Sequence, residues 1–138
     1  MSDLEHAKSL LEMAKGDLNA LRGMSISELP SSEIFFTDEI FGFHAQQAAE
    51  KCLKAWIASL GERYPRTHDL MALIEALDGV GEDTSSLDSL VDLNPFAVQY
   101  RYESLDSDDD ELDRGALLAE IQALFDRVEG LIGKAEGP

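Results

Sequence analysis

The chain holds a single cysteine, Cys52, in 138 residues. That excludes an internal disulfide framework and fits a reducing compartment. Prolines number only 4 against 44% apolar residues, which argues for a folded globular chain rather than a disordered one. No uninterrupted apolar stretch reaches the roughly 18 residues that a membrane span needs. The opening residues MSDLEHAK lack a basic start followed by an apolar block, so no secretory signal is expected and the protein is expected to be cytoplasmic. Positive charge is scarce, with 11 Lys and Arg against 28 Asp and Glu and a net charge of −17. Over most of its surface such a polyanion repels nucleic acid. The glycine patterns GxxxxGK[ST] and GxGxxG are absent, so any nucleotide contact has to use side chains and helix ends. The three histidines show neither HExxH nor a second tight ligand spacing, and neither a metal nor a cofactor is expected. The run DSDDDE lacks the ordered ligands and glycine of a calcium loop and reads as an acidic linker.

What is present is helical periodicity. The length suits one domain, residues 1–138. Leu4, Ala7, Leu11, Ala14, Leu18 and Leu21 alternate steps of three and four, an amphipathic helix with one seam. A second helix is expected from near Ser32 to about Leu60, stopped by Gly61 and the loop ERYPR. A third follows THDL, with Leu70, Leu73, Ile74 and Leu77 as its core face, Asp69 at its positive end and Asp78-Gly79 as its stop. A fourth spans about Ser85 to Tyr102, kinked or restarted at Asn94-Pro95, where asparagine caps and proline opens a turn. The last carries the seam Leu117, Ile121, Leu124, Val128 and Leu131. No alternating strand pattern appears, so the fold expected is all-α, an up-and-down bundle of four to five helices.

The second helix holds the unusual feature. At 100° per residue, Gln47, Lys51 and Lys54 fall at about 300°, 340° and 280° from His44, a stripe under a quarter-turn wide. Glu50 borders it at about 240°. Ala45, Ala48, Ala49, Leu53, Trp56, Ile57 and Leu60 fill an apolar arc of about half the circumference, more than one bundle seam requires. This breadth predicts a homodimer packed around Ala45, Ala49, Leu53 and Trp56 or their neighbours. Gln46 falls inside the arc, which predicts a buried amide with a satisfied hydrogen-bond network. Between His44 and His68 the bases Lys51, Lys54, Arg63 and Arg66 outnumber the acids Glu50 and Glu62, whereas from Glu75 to Asp113 Arg101 is the one base among 13 acids.

HAQQAAEKCLKA on the second helix, PRTHDL opening the third and the aromatic-flanked arginine in YRY together resemble a HEPN domain, over about residues 4–132. The resemblance implies an up-and-down helical bundle that binds RNA or a nucleotide and usually dimerises. It is often paired with a small nucleotidyltransferase in a toxin-antitoxin-like system. Many branches of that family cut RNA without a metal, using an arginine, four to six residues and then a histidine. In such an arrangement histidine moves the 2′-hydroxyl proton and arginine stabilises the phosphorane charge.

Arg63 and His68, with four residues between them, fit that spacing and are the candidate catalytic pair. Tyr64 stands where a small polar residue often follows the arginine, and no histidine follows Arg101. The binding set is His44, Gln47, Lys51, Lys54, Arg66, His68 and Arg101, expected to line one cleft. Each has a plainer alternative. The stripe reads equally as a solvated face, Arg101 as a partner of Glu103, and His68 as a cap of the third helix. Three functions follow: a binding module for RNA or nucleotide, a metal-independent endoribonuclease toxin, or an acidic interaction protein that binds no nucleic acid.

Overall fold

A computed structural model describes residues 3–25, 37–98 and 112–137. Four α-helices and one run of 3-10 turns make up its regular structure, with no strand among the described residues, so the all-α architecture is confirmed. Helix α1, Asp3–Met24, buries Ala7, Leu10, Leu11, Ala14, Leu18, Leu21 and Met24; Leu10 and Met24 join the expected seam, while Leu4 is only partly buried.

Helix α2, Asp38–Ser59, begins where Thr37 adopts an extended backbone and its hydroxyl accepts from the Ile40 amide at 3.3 Å. Its start therefore lies after the expected Ser32; residues 32–36 fall outside the described residues. It ends as the sequence suggests. Gly61, at φ 79°, donates to the Ala58 carbonyl while Glu62 donates to Ile57, the paired closing bonds that a left-handed glycine permits.

Helix α3, Leu70–Gly79, is capped by Asp69, whose carboxylate accepts from the Met71 amide at 2.9 Å. The helix stops at Gly79 as expected, but Gly81, at φ 88°, takes the left-handed position. Asp88–Val98 forms successive 3-10 turns, not the α-helix expected there. Asn94 explains part of the difference. It does cap a helix, but that helix is α3: its side-chain oxygen accepts from the Leu70 amide at 2.8 Å and its amide donates to Asp69 at 2.8 Å. Residues 99–111, with Arg101, lie outside the described residues.

Helix α4, Arg114–Ala135, buries Ile121, Leu124, Phe125, Val128 and Ile132. Its start is tied to that of α2, because Asp38 accepts from the Leu112 amide and from Nε and Nη2 of Arg114.

Helix α2 is the hub. It packs against α1, α3, α4 and the 3-10 segment, and Ala45, Ala48, Ala49, Leu53 and Trp56 are fully buried within the one chain. The broad apolar arc is thus covered by the protein's own helices except at Leu60, which is 40% exposed. No contact with a second chain can rest on Ala45, Ala49, Leu53 or Trp56 themselves, which leaves their exposed neighbours.

Candidate functional site

The polar residues of α2 meet two acids. Asp17 of α1 lies against one end of the stripe, with Oδ1 3.0 Å from His44 Nδ1 and Oδ2 accepting from Lys51 Nζ at 2.7 Å. Glu50, on α2 itself, serves the other end. Its Oε2 accepts from Lys54 Nζ at 2.9 Å, and its Oε1 accepts from Gln46 Nε2 at 3.0 Å and lies 3.0 Å from His68 Nδ1. Gln46 Nε2 also donates to the His68 carbonyl at 3.0 Å, and Gln47 donates to the Gln46 oxygen at 2.8 Å. The buried amide expected at Gln46 is therefore present, fully enclosed and satisfied.

Burial works against the charge on Glu50 and pushes its carboxyl upward, but hydrogen bonds from Lys54, Gln46 and His68 outweigh it and hold the group below 4.5. Cys52 shows the opposite balance. Burial, reinforced by the charge of Asp17, raises its thiol to about 12, so it is a core residue rather than a nucleophile.

These contacts divide the expected binding residues by charge compensation. Lys51 and Lys54, with side chains only 19% and 14% exposed, are already neutralised by Asp17 and Glu50. Arg63 and Arg66 are exposed, and neither forms an ion pair among the described residues. With Asp3, His6, Glu62 and Tyr64 they line an open hollow of ≈ 420 Å³ between the start of α1 and the α2–α3 loop. Tyr64 connects it to the polar network: its hydroxyl is 2.7 Å from His6 Nε2, and Lys54 Nζ lies 5.4 Å from its ring centroid.

His68 is not a helix cap, since Asp69 fills that role. Its side chain remains 75% exposed with Nδ1 against Glu50. The carboxylate of Asp69 also occupies the positive end of α3, removing that helix end as an anion site. Of the residues expected to line one cleft, Gln47, Lys54 and His68 join a chain of polar contacts through Gln46 and Glu50, Arg66 lines the hollow with Arg63, and Arg101 lies outside the described residues. His44 and Lys51 share Asp17 instead.

Sequence reasoning named Glu50 and Tyr64 without giving either a role in the site, and did not reach Asp17 or His6. For Glu50 a signal existed, because it lies four residues from both Gln46 and Lys54 and so shares their face. Nothing local announces Asp17 or His6, which reach the site only through the packing of α1 on α2. Among the described residues no cluster of three or more His, Cys, Asp or Glu side chains could hold a metal, and no helix is long and apolar enough to cross a membrane.

An α-helical bundle whose central helix carries a buried Gln-Glu-Lys network beside an open histidine defines the class of protein. The HEPN domain model matches residues 2–131, and the chain belongs to that family. No curated protein and no solved structure matches it.

Proposed function

We propose that this chain is a HEPN-type binding module that engages RNA or a nucleotide in the cytoplasm. We further propose that it acts as a homodimer beside a small nucleotidyltransferase in a toxin-antitoxin-like pair. Family membership supports the ligand class. The observation that carries the reading is the exposed pair Arg63 and Arg66, which form no ion pair among the described residues and line one open hollow in a chain of net charge −17. Phosphate contact gains from such free cations, not from lysines already paired with buried carboxylates.

Fluorescence anisotropy with a labelled single-stranded oligoribonucleotide across a salt series tests this. Each phosphate contact on a single strand adds about 0.7 to the slope of log affinity against log salt. Removing both arginines, Arg63→Ala with Arg66→Ala, should weaken binding and flatten the slope by about 1.4. Salt-independent affinity, or no affinity, would favour the acidic interaction protein.

One observation favours the nuclease alternative: His68 is oriented by Glu50 yet open to solvent, a suitable setting for a proton-transfer group. Against it, Arg63 lines the hollow with His6 and Tyr64, whereas the His68 ring hydrogen-bonds Glu50. Binding is therefore preferred to cleavage. RNA products with 2′,3′-cyclic phosphate ends, formed by the wild type and absent with His68→Ala, would reverse that preference.

A further inference from the structure

Two carboxylates, Asp17 of α1 and Glu50 of α2, each meet a histidine Nδ1 and a lysine of α2. Asp17 sets one oxygen against His44 Nδ1 at 3.0 Å and gives the other to Lys51 at 2.7 Å. Glu50 lies against His68 Nδ1 with both oxygens, Oε1 at 3.0 Å and Oε2 at 3.2 Å, and Oε2 also accepts from Lys54 at 2.9 Å. In each case the carboxylate is nearly enclosed, at 12% and 6% exposure, while the ring is more open, at 29% and 75%.

The chemistry of this repeated unit fixes the direction of the hydrogen bond. A lysine on the second oxygen favours the ionised carboxylate, which only accepts. The imidazole nitrogen facing it must then be the donor. A neutral ring carries one N–H, so placing it on Nδ1 leaves the lone pair on Nε2. His6 is the built-in contrast, because its hydrogen bond is made through Nε2, with the Tyr64 hydroxyl at 2.7 Å, rather than through Nδ1.

We propose that Asp17 and Glu50 are positioning residues, which hold His44 and His68 as Nδ1–H tautomers and turn Nε2 of both rings away from the protein's own acids toward ligand. The assignment of that ligand rests on the RNA or nucleotide binding proposed above. From this position a neutral Nε2 accepts a hydrogen bond from a ribose hydroxyl or a base N–H, and a protonated one donates to a phosphate oxygen. The same nitrogen serves in both states because Nδ1 stays with the carboxylate. Gln46 strengthens the arrangement at His68, holding the residue's carbonyl and its Glu50 partner with one amide nitrogen, at 3.0 Å each. Ring and backbone of His68 are thereby both anchored to α2.

Long-range proton–nitrogen correlation spectra of the full ¹⁵N-labelled chain, recorded about two pH units above the ordinary imidazole value of about 6.5, read the tautomers directly. Free histidine prefers Nε2–H, so two rings locked as Nδ1–H form a distinct signature. Asp17→Ala should release His44 alone, and Glu50→Ala should release His68 alone. A merely structural role would disturb both rings or neither. Should an alanine variant fail to fold, Asp17→Asn and Glu50→Gln keep the shape and replace the lock by a tautomer mixture, since an amide both donates and accepts.

Affinity for the single-stranded oligoribonucleotide should fall about fivefold or more in either amide variant. Wild-type rings in the Nε2–H form, or tautomers indifferent to both substitutions, would overturn the inference even with RNA binding intact. Locked rings in a protein with no affinity for RNA or nucleoside monophosphates would overturn the binding function and leave the positioning geometry supported.

Discussion

On α2, Ala45, Ala48, Ala49, Leu53 and Trp56 are enclosed by the other helices, and at the edge of that apolar side, where the polar side begins, Gln46 and Glu50 are enclosed almost as completely. The two sides reach similar depth for different reasons. Apolar groups gain by leaving water, in rough proportion to area and with little regard to direction. Polar groups gain nothing from burial until each donor and acceptor has a partner, so Gln46, Glu50, Lys54 and His68 stand or fall as a set. The apolar side holds the bundle together, while the polar side keeps a histidine in place at its surface.

The largest expected effect lies on the apolar side. Trp56→Ala empties the most voluminous fully buried position in the chain and should lower stability by about 3–5 kcal/mol, measured by urea denaturation followed by circular dichroism. A loss below about 1 kcal/mol would mean that the helices close over the gap, and that this side is far more adaptable than a packed core.

Next comes the centre of the polar side. Glu50→Ala leaves Lys54, Gln46 and the His68 ring without their common acceptor and should cost about 3 kcal/mol, because a broken buried pair is worse than none. Acid provides the same test without mutation. The Glu50 carboxyl is held below 4.5 in the folded protein. Its contribution is therefore complete above the unfolded value and is lost as pH falls through the lower folded one. Wild-type stability should drop below about pH 4.5, and its advantage over Glu50→Gln should narrow over the same range. A constant difference between the two would sever this carboxylate from the acid response.

Gly42→Ala probes where α2 meets the 3-10 segment. A Cβ there would lie 2.3 Å from the Phe96 ring, so the ring must move, at about 1–3 kcal/mol. Pairing it with Phe96→Ala should remove most of the clash, and additivity of the two changes would show that Phe96 is not what excludes a side chain at position 42.

How much of this was legible in sequence depends on whether the determinant is local. Thr-His-Asp before α3 and glycine after α2 act within a few residues, and both helix ends were readable from them. The enclosure of Gln46 followed from its angle on one helix, again a local quantity. Asp17 was not readable: its partners His44 and Lys51 lie 27 and 34 residues away, and only the docking of α1 brings them together. The same holds for Asn94, whose motif was read correctly as a cap but assigned to its own segment rather than to α3. The apolar arc shows the converse error. Its width was plain in the sequence, but whether a second chain or the same chain would cover it depended on how many helices surround α2.

Trp56 is where the two sides of the comparison meet, and it supports the smallest predicted effect. Its indole nitrogen donates to Glu82 at 2.8 Å, and the Arg127 guanidinium lies 4.3 Å from the ring centroid while donating to the Asp83 carbonyl at 3.0 Å. Arg127 is exposed, so its attraction to the ring is mostly screened, worth about 0.5–1 kcal/mol. Arg127→Ala should lower stability by that amount and shift the emission of the one tryptophan, which then faces water where the guanidinium lay. Arg127→Met tests whether charge or cover matters, because it restores apolar contact without the cation. Full recovery of both stability and emission in Arg127→Met would make the arginine a lid of hydrocarbon. Recovery of emission alone would assign the remaining stability to the charge over the ring.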